Sequence, residues 1–287
     1  MSDTGLCILH EDPWLVAVDK PSGLPVHRGW ARDRVVLTDL LEERLGKGAV
    51  HPLGRLDRGT SGVLLVARNG ATVEAFRRTI RAEGALRCYI ALVRGVPPES
   101  GLVDYPIPNE PGGPRVEART TFRTLASRPT GPSGESHGSS SPSLAASGRA
   151  IATATILLRP SGYEGHVDHR TSNMVQGPRS PFRTVSLVAA FPQTGRLHQI
   201  RRHLRHVGHP VIGDSNYGRP DLNRALRTAY GLSRLALHCV SIRLRHPFTH
   251  ELLQLASPMP ENLVVPLQRM GFQCANILDT PLAPETE

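Results

Sequence analysis

The chain has 287 residues, of which 39% are hydrophobic and 21% charged. That is ordinary globular composition, long enough for one large domain or two small ones. It carries 34 basic against 25 acidic residues, a net charge of +9, and Lys20 and Lys47 are its only lysines. Arginine forks match phosphates and stack on bases, so this bias favours a polyanionic partner. No apolar run approaches the ~18–20 residues of a membrane span, and MSDTGLCILHEDPW lacks the basic start and apolar stretch of a signal peptide. Cys7, Cys88, Cys239 and Cys274 form no CxxC pair, which argues against a zinc ribbon or disulfide scaffold and fits a reducing compartment. A basic, cytoplasmic protein is the expectation.

In chain order, Cys7–His10 and Trp14–Asp19 read as two short strands around the turn Glu11-Asp12-Pro13. Lys20-Pro21-Ser22-Gly23 breaks the pattern, and Val26-His27-Arg28 resumes it. Val36, Leu37, Leu40, Leu41 and Leu45 recur at helical spacing, with Gly46 placed as a C-cap. The Gly- and Arg-rich loop His51–Gly62 runs into an apolar strand, Val63–Ala67. A second helix has Val73, Phe76 and Ile80 on one face and Gly84 at its end, and Tyr89–Val93 is a further strand.

From Ser127 to Pro181 the character changes, with Pro129–Ser143 nearly all Ser, Gly and Pro. Such composition buries too little apolar area to offset its ordering entropy, so residues 127–181 are expected to be a mostly disordered insertion, with Ile151–Leu158 as a strand candidate inside it. Order resumes with the strand Val185–Phe191, a turn, a helix from Leu197 to Val207, and the strands Leu235–Leu244 and Leu252–Ala256. Short strands mixed with helices, without regular alternation, point to an α+β fold. Residues 1–270 are read as one domain and 271–287 as a frayed tail.

Two segments carry the candidate chemistry. Gly54-Arg55-Leu56-Asp57-Arg58-Gly59-Thr60-Ser61-Gly62 has three glycines in nine residues, which implies positive-φ turns or a close backbone approach. A phosphate-binding P-loop fails here, because Thr60 stands in place of the lysine and Asp57 would put negative charge in the cradle. What remains is an aspartate between two arginines at a loop tip, placed either to fix a turn or to act as nucleophile or base. The second segment is Thr194–His203, TGRLHQIRRH. At ~100° per residue, Leu197, Ile200, Leu204 and Val207 form one stripe; Arg202 points away from it, as a solvated phosphate ligand would, and Arg201 lies at its edge. A half-buried guanidinium needs a carboxylate, and Asp57 is a candidate. His203, His206 and His209 drift around the helix without a Cys or acidic companion, so a metal site is rejected in favour of a basic RNA-facing surface.

Leu53–Ala67 (LGRLDRGTSGVLLVA), Arg87–Gly95 (RCYIALVRG), Thr194–His203, Gly208–Gly218 (GHPVIGDSNYG) and Leu237-His238, in this order, resemble the RluA-type pseudouridine synthases. The resemblance covers roughly residues 5–125 and 182–260. It implies a mixed, largely antiparallel sheet with flanking helices and a central RNA-binding cleft. It also implies isomerisation of uridine to pseudouridine in RNA, without cofactor or metal. By motif, Asp57, Tyr89 and Arg201 match the family's catalytic residues: the aspartate that attacks C1′ or takes the 2′-proton, the tyrosine that stacks on the base, and the arginine that pairs the aspartate. Arg55 and Ile200 match residues around the flipped nucleotide, and Arg196, His198, Gln199 and Arg202 are assigned to substrate binding. Gly54 stands where most members have His, and Arg87 where they have Lys.

The opening Trp14–Trp30 further resembles the short tRNA-directed members, which implies uridine 65 of the T-stem. Asp57 lies so near the start that no S4-type RNA-binding domain is expected before it. A monomer acting on tRNA is the primary reading. A short 23S rRNA synthase is the runner-up, and a non-catalytic RNA-binding protein is the reading from another class. A hydrolytic glycosidase lacks the second carboxylate it would need.

Overall fold

The computed structural model describes residues 5–28, 34–82, 85–108, 112–130 and 184–274. The first strands are β1 (Cys7–Glu11) and β2 (Leu15–Lys20), followed by helix α1 (Leu37–Leu45), then β3 (His51–Pro52) and β4 (Ser61–Ala67). Helix α2 (Val73–Arg81) leads to β5 (Leu86–Arg94), β6 (Ser100–Asp104), β7 (Ile107–Pro108), β8 (Arg115–Val116) and β9 (Arg119–Arg128). After the gap come β10 (Val185–Pro192), α3 (Gln199–His206), α4 (Pro220–Tyr230), β11 (Leu237–Arg245), β12 (Leu252–Ala256) and α5 (Glu261–Arg269). Ten strands form one sheet in the order β1-β2-β4-β11-β5-β10-β9-β6, with β12 beside β11 and β3 beside β4. Its pairings are antiparallel except β4 with β11. This is the mixed, largely antiparallel α+β sheet expected from the sequence.

Strand alternation divides the apolar residues between two cores. On β5, Cys88, Ile90 and Leu92 join the core covered by α4 and α5, through Leu222, Leu226, Leu263 and Leu267. Tyr89, Ala91 and Val93 point to the opposite face, where α1, α2 and α3 pack through Leu37, Leu41, Phe76, Ile200 and Leu204. Strand β4 lies between β2 and β11, and all seven of its residues are buried, as expected of an apolar run covered on both faces.

The parallel contact between β4 and β11 sets Ser61 and Gly62 beside His238 and Cys239. Gly62 has φ 109°, and a Cβ there would collide with the Cys239 carbonyl. This is the close backbone approach that the glycine-rich loop implied; Gly54, by contrast, has open space around it. The fully buried His238 ring bridges the strands, with Nδ1 2.8 Å from Ser61 Oγ and Nε2 3.1 Å from the Ser257 carbonyl.

Several features differ from the sequence reading. Helix α4 has Pro220 in its first turn and a left-handed Gly231 cap, signals that the weak apolar pattern between them obscured. Helix α5 contains Pro266, which normally argues against a helix interior. Strands β6 to β9 also lie in a stretch to which no element was assigned. Strand β9 continues through Arg128, where it pairs with Val185, so the ordered sheet extends past the expected insertion boundary at 127. Phe272 is buried beside Leu267 and Met270, so packing reaches past 270 into the expected tail. The strand candidate Ile151–Leu158, the helix end at Gly84 and nearly all of the 127–181 insertion lie outside the described residues.

Two stability measurements follow from this core. Gly62→Ala combines a disfavoured φ with a backbone clash and is expected to cost more than about 2 kcal/mol, read as a lower urea midpoint. Burial, reinforced by Arg234, pushes the His238 pKa down to about 4. The unfolded chain therefore takes up a proton near pH 6.5 that the folded chain excludes until about pH 4. Stability falls as pH drops through that window, by on the order of 3 kcal/mol from this residue. His238→Gln should flatten this pH dependence of the urea midpoint.

Candidate active site

The Asp57 loop is tied to the Lys20-Pro21-Ser22-Gly23 segment, which the sequence reading treated only as a break. Gly23 N–H donates to the Arg58 carbonyl (2.7 Å), Ser22 Oγ donates to the Gly59 carbonyl (2.7 Å), and Arg58 Nε donates back to the Gly23 carbonyl (3.1 Å). The fully buried Lys20 donates to the carbonyls of Pro21 (2.8 Å), Leu24 (2.7 Å) and Arg58 (3.4 Å). Burial and the nearby Arg234 lower its pKa to about 7, opposed by Asp57 and Asp19. A lysine satisfied by backbone carbonyls thus lies directly behind the loop that carries Asp57.

Arg201 joins this loop to the rest of the site. It sits on α3 at the edge of the buried stripe, where the helical wheel placed it, and its side chain is 8% exposed. Its NH1 donates to Asp57 Oδ2 at 2.8 Å. Its Nε and NH2 form a two-pronged pair with Asp214, at 2.7 and 2.8 Å. Asp214 is also fixed by the backbone N–H groups of Asn216 and Tyr217, both donating to Oδ1. Burial opposes charge on both partners. The Asp214 hydrogen bond nevertheless holds Arg201 above the usual guanidinium range, and Arg201 in turn holds Asp214 below the usual carboxylate range. The wheel argument required a carboxylate for Arg201 but did not find Asp214. The acid in Gly213-Asp214-Ser215-Asn216-Tyr217-Gly218, a glycine-bounded turn, was the available signal.

Asp57 and Arg201 open onto a cavity of about 260 Å³ whose lining includes Tyr89, Ile200, His198, Arg55 and Arg196. Arg77 and Arg81 of α2 add basic groups that the sequence reading did not select. Tyr89 is 9% exposed. Burial and the Cys239 thiol raise its pKa well above that of an ordinary phenol, so it stays neutral at physiological pH. Arg87, two residues earlier on β5, uses NH2 to bond the carbonyls of Pro192 (3.0 Å) and Thr194 (3.1 Å). An arginine in place of the usual lysine thus clamps the loop that leads into α3.

Three assignments change. The Gln199 amide is saturated: Oε1 accepts from Thr194 Oγ1 and Arg196 N, and Nε2 donates to the Arg119 carbonyl and Thr120 Oγ1. It has no donor or acceptor left for substrate and instead builds the turn. Arg202 was expected to be solvated, but Nε donates to Tyr217 Oη (2.8 Å) and NH1 to the Pro108 carbonyl (3.0 Å). His203 is fully buried between Thr120 Oγ1 and the Tyr105 carbonyl, so it belongs to no RNA-facing surface. His206 stacks on Tyr105, and His209 Nδ1 meets the Arg94 carbonyl. Among the described residues, no group of three or more His, Cys, Asp or Glu could hold a metal ion, and no helix is long and apolar enough to cross a membrane.

With an aspartate held by a buried arginine beside a tyrosine on a large mixed sheet, the chain belongs to the RNA pseudouridylate synthase family, whose model matches residues 14–206. It is an isomerase that forms pseudouridine from uridine in RNA. Similar curated proteins include the tRNA pseudouridine synthase C of Salmonella typhimurium, 33% identical over 93% of this chain and 90% of the relative. Another is the enzyme of the same name from Pasteurella multocida, 30% identical over 87% and 90%. Among solved structures, human RNA pseudouridylate synthase domain containing 4 shares the fold, with a TM-score of 0.61 at 23% identity, over 93% of this chain and 94% of that one.

Removing Arg201 leaves two carboxylates without their cation. Arg201→Met is expected to destabilise the fold by about 3–5 kcal/mol, read from urea unfolding. Arg201→Lys should recover only part of this loss, because the N–H bonds of an ammonium all leave one nitrogen and cannot reproduce the fork that reaches both acids.

Proposed function

We propose that this chain isomerises uridine 65 in the T-stem of tRNA, with Asp57 as the catalytic carboxylate. The observation that carries the reading is the pairing of Asp57 Oδ2 with Arg201 NH1 at 2.8 Å on the wall of an arginine-lined cavity. The tRNA assignment is supported by relatives named tRNA pseudouridine synthase C that match this chain over nine-tenths of their own length. A cavity of about 260 Å³ is small and suits one nucleotide, so the target base must leave its stem before it can react. Arg55, Arg77 and Arg196 provide charge at the opening for the flanking phosphates.

In the cavity, Arg201 orients Asp57 through the bond to Oδ2. Asp57 either bonds to the ribose C1′ as the N1–C1′ bond breaks or takes the 2′-proton as that bond breaks. On both routes the base turns, C5 bonds to C1′ as any Asp57–C1′ bond is released or the 2′-proton returned, and C5 loses its proton while N1 gains one. Tyr89 lies against the base as a neutral ring, and Ile200 packs its other side. No residue in this scheme calls for a metal or cofactor. The chain acts as a monomer in the cytoplasm, a setting consistent with its four free cysteines.

The test is to map pseudouridine in tRNA and rRNA transcripts after incubation with wild type and Asp57→Ala. Modification at uridine 65 by wild type alone is expected, with a loss of at least about 1,000-fold in the variant. Modification confined to rRNA would transfer the substrate to 23S rRNA and keep the chemistry. RNA binding with no modification by wild type would overturn the reading.

A further inference from the structure

His198 is placed in an unusual way for a cavity residue. It precedes α3 with φ 55° and ψ 30°, the left-handed region that a non-glycine residue occupies only when its surroundings hold it there. Its Nδ1 lies 3.0 Å from Tyr217 Oη, and its Nε2 lies 3.8 Å from Asp57 Oδ1. Tyr217 is anchored in turn. Its backbone N–H donates to Asp214, and its ring lies 5.1 Å from the Arg201 guanidinium. Its hydroxyl oxygen accepts from Arg202 Nε at 2.8 Å.

The direction of each hydrogen bond follows from the donors. An arginine Nε can only donate, so the Tyr217 oxygen accepts from Arg202. Among the described residues, His198 Nδ1 is the other hydrogen-bond partner of that hydroxyl, 3.0 Å away and placed to accept the phenolic proton. A ring nitrogen that accepts carries no proton, so in the neutral imidazole the proton sits on Nε2. We infer that Tyr217 is a positioning residue that fixes His198 as the Nε2–H tautomer and so turns an N–H donor toward Oδ1 of Asp57, the oxygen that Arg201 leaves free.

This inference rests on the reading of Asp57 as the catalytic carboxylate. It gives the two oxygens different tasks: Oδ2 is held by Arg201, while Oδ1 is steered by His198 and free to engage the ribose. The opposite tautomer would aim a lone pair at Oδ1 and repel it, and an imidazolium would neutralise it. Burial, with Arg201, Arg202 and Arg55 nearby, lowers the His198 pKa against the opposing pull of Asp57, which favours the neutral ring. At 3.8 Å the contact is still open, and an approach of less than about 1 Å closes it into a hydrogen bond. His198, expected from the sequence to bind substrate, thereby acts on Asp57.

The tautomer can be observed directly. In long-range proton–nitrogen spectra of the ¹⁵N-histidine-labelled protein, with His198→Gln identifying the signal, wild type is expected to show unprotonated Nδ1 and protonated Nε2. Tyr217→Phe keeps the ring but removes the hydroxyl. It should give a mixture of tautomers and lower kcat about tenfold, with KM within about twofold. His198→Gln offers an amide N–H without a tautomer to fix. It should therefore retain more activity than His198→Ala and be nearly insensitive to Tyr217→Phe. A wild-type ring protonated on Nδ1 overturns the inference, as does an unchanged kcat in Tyr217→Phe. His198→Ala identifies the signal if His198→Gln fails to fold, and the wild-type spectrum does not depend on whether Asp57→Ala retains activity.

Discussion

The site depends on one guanidinium shared by two carboxylates. Arg201, on α3, bonds Asp57 from the loop before β4 and Asp214 from the turn before α4. Burying these three charges is costly, and three charge-assisted N–H···O bonds offset that cost. Asp214 is itself held by two backbone amides. The Asp57 loop lies 144 residues from Arg201 in the chain and Asp214 only 13 from it, and the ion triad fixes their relative placement. Asp57 gives Oδ2 to the triad and keeps Oδ1 outside it.

Around this triad the supports are backbone contacts more than apolar packing. Lys20, Ser22 and Gly23 hold the Asp57 loop by the carbonyls of Arg58 and Gly59. Arg87 and Gln199 do the same for the turn before α3. Gln199, which the sequence reading assigns to substrate, is thus consumed in positioning, while Arg55, Arg196 and His198 line the cavity. The division is economical: a loop held through its main chain presents its side chains without moving them.

Much of the fold was legible because its strands follow simple patterns. β2, β4, β5 and β10 are short apolar runs bounded by turn residues, and α3 has a stripe clear enough to place Arg201 at its edge. The elements that escaped notice, α5 and β6 to β9, contain proline or alternate weakly, so local propensity and tertiary context disagree there. At the site, Asp57 was marked by its glycine-rich loop and Tyr89 by its place in an ordered set of motifs. Asp214, Tyr217 and Lys20 lie in segments that carry the family resemblance, but no role was read for them, since their importance lies in which group each one meets.

The sequence by itself determined the class of fold and the family and made Asp57 a candidate partner for Arg201, because hydrophobic period and motif order are properties of the chain. Only the tertiary structure decided that Arg201 serves two acids, that Arg202 and Gln199 are already bonded, and that His203 is buried. A side chain's free valence depends on which partners arrive from elsewhere in the chain. Helical spacing fixes the direction in which Arg202 leaves α3, but the Tyr217 hydroxyl and the Pro108 carbonyl that receive it come from segments whose approach no local pattern encodes.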